Sequence, residues 1–150
     1  MLNKYDKKNG FFVNEDIKDE RENFLYLEKY KFGETFKKLV KKLDNKKVVL
    51  YGAGAFLEAI NKYYNLSELN IVGISDIRFI NHNKDEKFLG YNVLSPEEIE
   101  CIAPDYVLVS TKYYMNIIEQ LYFDYLSKTK IKIKPMVEKP FSVLFREIWN

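Results

Sequence analysis

Val48-Val49-Leu50-Tyr51-Gly52-Ala53-Gly54 is the stretch on which the reading of this chain turns. Four apolar residues in a row suit a strand buried on both faces, and the glycines that follow suit a tight turn. Phe56, Ile60, Tyr63 and Tyr64 then recur at helical spacing and end near Asn65. A second apolar run, Ile71-Val72-Gly73-Ile74, terminates in Ser75-Asp76. Strand, glycine turn, helix and strand make one βαβ unit, whose crossover is right-handed almost without exception.

Working outward toward the N-terminus, residues 1–20 carry charges and Asn with few apolar positions and predict a loosely held arm. From about Asp19 the pattern turns helical. Phe24 and Leu27 share one face, and Phe32, Phe36, Leu39, Val40 and Leu43 follow at spacings of three and four. Gly33 is expected to divide this stretch into two helices, and Asp44-Asn45 to stop the second.

Toward the C-terminus, residues 77–88 are polar and predict a long surface loop. Leu89-Gly90-Tyr91-Asn92-Val93 reads as a turn into a short third strand. Ser95-Pro96-Glu97-Glu98 is a helix start: Ser95 caps, Pro96 takes the first helical position, and Glu98 reaches back. Asp105-Tyr106-Val107-Leu108-Val109 predicts a fourth strand ending at Ser110-Thr111, and Tyr114, Ile117, Ile118, Leu121 and Tyr125 mark a helix. The alternation in Lys130-Ile131-Lys132-Ile133 suits an edge strand with one wet face. Phe141, Leu144, Phe145 and Ile148 predict a final short helix. With no internal repeat or low-complexity linker, the expected organisation is a helical arm over 1–45 and one globular unit over 46–150.

Alternating strands and helices of this kind predict a Rossmann-like three-layer α/β fold, with a mostly parallel five-stranded sheet in the order 3-2-1-4-5. In that fold the first glycine permits the tight turn, and the second lets a pyrophosphate approach the backbone. The helix starting near Ala55 aims free N–H groups and its positive dipole end at the anion. Asp76 ends the second strand 22 residues after Gly54. That spacing suits the acid that holds a ribose 2′-OH, and a carboxylate there favours NAD over NADP. The bland reading of Asp76 is a cap on the following turn. The third glycine of G-x-G-x-x-G is replaced by Leu57, which alters the helix–strand packing and is expected to narrow the phosphate site. Ser110 and Thr111, with Lys112, stand at the carboxyl end of the fourth strand, where ligands bind in open α/β sheets; Ser-Thr is equally an ordinary helix cap. Arg78 reads first as a partner for an acid and second as a phosphate ligand. The candidate binding set is Gly52, Ala53, Gly54, Ala55, Phe56, Asp76, Ile77, Arg78, Ser110 and Thr111.

Tyr51-Gly52-Ala53-Gly54, Ile71 to Asp76, Leu89 to Glu98 and Pro104-Asp105-Tyr106-Val107-Leu108-Val109 occur in an order that resembles a known group. It is the small Rossmann domain of bacterial polysaccharide-biosynthesis proteins, including the N-terminal domain of capsular nucleotide-sugar dehydratase/epimerase proteins. The segment from Pro104 is also similar to the C-terminal domain of sugar C-methyltransferases. The resemblance covers about residues 46–125 and implies a role beside nucleotide-sugars in making a surface glycan. It matches Gly52, Gly54 and Asp76 to phosphate and ribose positions, while Leu57 departs from the pattern.

Composition bounds the rest. Apolar residues are 47% and charged residues 31%, the range of globular proteins, and a net charge of +2 gives no electrostatic case for nucleic acid. The Lys37-Lys38, Lys41-Lys42 and Lys46-Lys47 pairs read as solvated surface. Cys101 is the only cysteine, so no internal disulfide forms, and a small buried apolar role is expected for it. No apolar run reaches the roughly 18–20 residues of a membrane helix, and the protein is expected to be cytoplasmic. The catalytic inventory is thin. Tyr-x-x-x-Lys, the phosphate-binding G-x-x-x-x-G-K-[ST], His-Glu-x-x-His and G-x-S-x-G are all absent, and no metal site is expected. His82 reads as an exposed loop histidine.

Three functions stay open. The first is an accessory module that binds a nucleotide, NAD(H) or a nucleotide-sugar. The second is a small NAD-linked oxidoreductase or epimerase-type enzyme completed by a homodimer or a catalytic partner protein. The third is a scaffold with a vestigial site.

Overall fold

The computed structural model describes residues 11–139. Helices α1 (Phe11–Lys29) and α2 (Phe32–Lys42) lead into β1 (Val48–Tyr51), α3 (Ala55–Tyr63) and β2 (Ile71–Ser75). A hairpin of β3 (Lys87–Phe88) and β4 (Tyr91–Leu94) follows, then α4 (Glu98–Ile102), β5 (Tyr106–Val109), α5 (Met115–Leu121) and β6 (Lys132–Pro135). Residues 1–10 of the expected arm and the helix expected over Phe141–Ile148 lie outside the described residues.

The sheet has six strands in the order β3-β4-β2-β1-β5-β6, rather than five in the order 3-2-1-4-5. The difference is an antiparallel edge strand, β3, inside what reads as a polar loop. Two residues are too few to show alternation. What makes them a strand is the turn after them: Leu89 and Gly90 both have positive φ (53° and 83°), the backbone of a two-residue hairpin. That turn pairs Lys87 with Asn92 and Phe88 with Tyr91. The remaining neighbours are parallel.

β1 is buried on both faces, and its side chains alternate between two cores. Val48 and Leu50 join Leu27 of α1, Phe32 and Phe36 of α2, and Leu57 and Ile60 of α3. Val49 and Tyr51 join Ile99 of α4, Leu121 of α5 and Leu126 beyond it. The N-terminal helices therefore cover one sheet face together with α3.

Three local expectations need correction. The break between α1 and α2 falls at Lys31, whose φ is 54°, and Gly33 lies inside α2. α1 starts at Phe11, well before Asp19. The helix expected to run to Tyr125 is α5 followed by a π-helical turn, Tyr122–Leu126. That wider turn lets Leu121 and Leu126, five positions apart, both be buried.

Candidate functional site

Register fixes where the loops leave the sheet. Tyr51 pairs with Ser75 on one side and with Val109 on the other, and Ser75 pairs with Leu94. The strand ends are level, so Gly52, Asp76, Ser95 and Ser110 open their loops at one edge. α3 packs on one face and α4 on the other. The crevice between β1 and β5 is thus the point where the winding reverses, the usual ligand position in open α/β sheets.

The two glycines of the turn do different work. Gly52 has φ 113°, and a Cβ there would lie 2.7 Å from Thr111 Cγ2 and 3.4 Å from the Ser110 carbonyl oxygen. Only glycine lets the β1 turn close against the β5 loop. Gly54, the residue before α3, has ordinary extended angles (φ −122°, ψ −169°). A Cβ on Gly54 would meet no atom within 4 Å. The fold itself makes no demand for glycine at that position.

Asp76 ties the turn to β2. Its Oδ2 accepts from the Ala53 N–H at 2.7 Å and its Oδ1 from the Arg78 N–H at 3.1 Å. It both caps the short helix Ile77–Phe79 and holds the glycine turn. Each carboxylate oxygen retains a second lone pair able to accept from a hydroxyl. Tyr51, next to this carboxylate, has its phenol pushed up to about 12, first by burial and then by the Asp76 charge.

The ten candidate residues separate into two groups. Gly52, Ala53, Phe56 and Ser110 are buried. Ser110 Oγ donates to the carbonyls of Tyr51 (3.1 Å) and Gly52 (2.9 Å), so this hydroxyl braces the turn. Thr111 Oγ1 donates to the Tyr113 carbonyl, and its methyl packs toward Gly52. Gly54, Ala55, Ile77 and Arg78 are exposed, with Asp76 half-buried between the groups. Gly54, Ala55 and Arg78 line a cavity of about 510 Å³ together with Asp19, Glu20, Glu58, Lys62 and Leu89. Glu20 is committed to Lys62 and to the Tyr63 hydroxyl, which holds its carboxyl below the usual range. Leu57 is fully buried in the core and does not reach this cavity. Its side chain fills the space between helix and sheet.

Arg78 does not pair with an acid among the described residues. Its guanidinium stacks over Phe79 (5.6 Å) and Phe88 (5.5 Å) at the cavity wall. His82 is not a bare loop residue: its Nε2 meets Glu98 Oε1 and its Nδ1 meets the Asn83 carbonyl. Those hydrogen bonds, the backbone one first, raise its pKa. The Ser95 N–H and His82 hold the Glu98 carboxyl low. Glu98 makes one half of the expected capping box, accepting from the Ser95 N–H, and also staples the Arg78 loop to α4. The helix itself starts at Glu98, after a turn at Pro96-Glu97, rather than at Pro96, and its cap position, Glu97, makes no side-chain cap hydrogen bond. Cys101 is exposed, contrary to expectation, because Ile99 takes the inward position of the short α4.

Spacing places Lys112 at the end of β5 but does not show what holds its side chain. Lys112 Nζ lies 4.9 Å from the Tyr26 ring centroid and 5.9 Å from that of Phe56. Tyr26 comes from α1, and no sequence signal links positions so far apart. No group of His, Cys, Asp and Glu among the described residues could hold a metal ion. No helix among them is long and apolar enough to cross a membrane.

No curated protein matches the chain. Among solved structures it is similar to the crystal structure of RSP in complex with beta-NAD+ and operator DNA, with 20% identity and a TM-score of 0.41. That match covers 78% of this chain and 63% of the other, so the chain spans less than two thirds of that protein's length. Residues 44–132 match the family model described as C2185-like, N-terminal, and the chain belongs to that family.

Proposed function

We propose that residues 46–150 are a nucleotide-binding module, preceded by a helical arm over residues 1–45, holding NAD or a nucleotide-sugar as an accessory to surface-polysaccharide synthesis. Gly54 carries the proposal. A glycine that the backbone does not need, at the N-terminus of α3 and on a cavity wall, is explained by a ligand atom that must come close. The binding set remains Gly52 to Phe56, Asp76 to Arg78, Ser110 and Thr111. Within it, Gly54, Ala55, Asp76 and Arg78 are the contact residues, and Gly52 and Ser110 shape the turn. The glycan context rests on the sequence resemblance alone.

The test is a thermal-shift series with NAD, NADH, NADP, CoA, UDP-sugars and CDP-sugars. A ligand at 100 times its Kd stabilises a protein by about 2.7 kcal/mol. One class should raise the Tm of the wild type and leave Gly54→Val unmoved. Silence from the wild type with every ligand would sink the proposal.

One observation favours a second reading, a scaffold with an empty site. The Ala53 N–H, a donor at the heart of the turn, is already taken by Asp76. Asp76→Asn, which weakens that bond without changing shape, separates the two readings. A binding module should change its ligand affinity, whereas a scaffold should change only its Tm.

A further inference from the structure

The cavity beside Gly54 holds one cation without an acid partner among the described residues, Arg78; a second stands on the other side of the turn. Lys112 follows Thr111, whose methyl packs where a Gly52 side chain would go, so its backbone is pinned against the glycine turn. Its ammonium lies over two rings: Tyr26 of α1, and Phe56 in the first turn of α3. Those rings meet edge to face, with centroids 5.7 Å apart. No ion pair to Lys112 or to Arg78 forms among the described residues. Arg78 is stacked on its own two rings, Phe79 and Phe88. Each cation is thus held by aromatic faces, which fix a long side chain while leaving its charge unneutralised.

Resting on the nucleotide-binding reading, we infer that Lys112 is a second phosphate ligand, that α1 positions it through Tyr26, and that the ligand carries a diphosphate. Two pre-placed cations flanking one helix N-terminus suit two linked phosphates, each meeting its own cation. A monophosphate would leave one of them idle. Helix α1 is then part of the site as well as a cover for the sheet. It lies along α3, with Glu20 bonded to Lys62 and Tyr63 and with Tyr26 against Phe56. Its contacts therefore reach both the Arg78 side and the Lys112 side of the turn.

The experiment is titration calorimetry of the full chain with ADP, AMP and NAD at several salt concentrations. Wild type should bind ADP and NAD more tightly than AMP. Lys112→Ala should weaken ADP and NAD about tenfold or more, flatten the salt dependence, and leave AMP less affected. Lys112→Arg should restore most of the affinity. Tyr26→Leu should reproduce part of the loss with residue 112 unchanged. Equal ADP affinity and salt slope in Lys112→Ala would overturn the inference and leave the nucleotide reading standing. A loss that Lys112→Arg fails to rescue, with a fall in Tm, would also overturn it by making the residue structural. A wild type that binds none of the three overturns this inference and the NAD half of the nucleotide reading, leaving the nucleotide-sugar half to the thermal-shift series.

Discussion

The glycine turn has an inner half and an outer half, and they are built on opposite principles. In the inner half Gly52 and Ser110 are buried beside the half-buried Thr111, the Ser110 hydroxyl is bonded to two carbonyls, and the glycine is demanded by a positive φ and a neighbouring methyl. The outer half, Gly54 with Ala55 and Arg78, is exposed beside a cavity, and its glycine is demanded by nothing in the protein. Two glycines one residue apart in a single motif thus have different causes. The first is a folding residue. The second stands in open space before α3, where the backbone would accept a side chain.

The contrast can be broken in measurable ways. Gly52→Val meets both a strained φ and a contact that is too close. Conformational strain of about 1–2 kcal/mol plus overpacking of about 1–3 kcal/mol predicts a loss of about 3 kcal/mol, seen as a Tm lower by about 10 °C. A variant that melts like wild type would dissolve the distinction. Next, Asp76→Ala removes the carboxylate that joins the halves and leaves two N–H groups without it, so about 2 kcal/mol should be lost in denaturant titration.

A smaller effect comes from pH, through the staple that fastens the Arg78 loop. The pKa of His82 is raised in the fold, so its contribution is full below its unfolded value of 6.5 and is lost as pH rises through the folded value. Glu98 is lowered, so its contribution fades only in acid, as pH falls through its depressed value. Both groups are solvent-accessible, so Tm should fall only slightly between pH 5.5 and 8.5, and Glu98→Gln should flatten that slope. A slope of equal size in Glu98→Gln would show that other groups set it. Smallest of all, Gly54→Ala should shift unfolding by no more than about 0.5 kcal/mol, since its methyl enters open space. A large loss there would mean that Gly54, like Gly52, belongs to the fold.

Much of this architecture could be read locally. β1, β2 and β5 are short apolar runs whose burial on both faces needs no partner to be guessed, and the Ser95–Glu98 box is a four-residue signal. The illegible features depend on backbone conformations that residue type does not announce, or on contacts between distant residues. β3 exists because the Leu89-Gly90 turn folds it back, and the break at Lys31 comes from a left-handed lysine rather than from the nearby glycine. The site divides in the same way. Gly52, Gly54 and Asp76 follow from spacing, but only three-dimensional neighbours show that Ser110 is a brace and that Arg78 rests on aromatic rings. Lys112 stands out in sequence at the end of β5, but only the tyrosine from α1 shows how its side chain is held.

The two rims of the sheet carry a further lesson, about what the protein avoids. One rim is β3, only two residues long; the other is β6, which among the described residues pairs with β5 alone. β6 sets Lys132 and Lys134 on its length and ends in Pro135, which has no N–H to offer a newcomer. Lys42 crowds Lys134 closely enough to lower its pKa, so charge is concentrated at this rim. An open strand edge is otherwise a template for edge-to-edge aggregation. Replacing Lys132 and Lys134 with threonine would strip away that guard, leaving the fold intact but its chains prone to stack into insoluble ribbons.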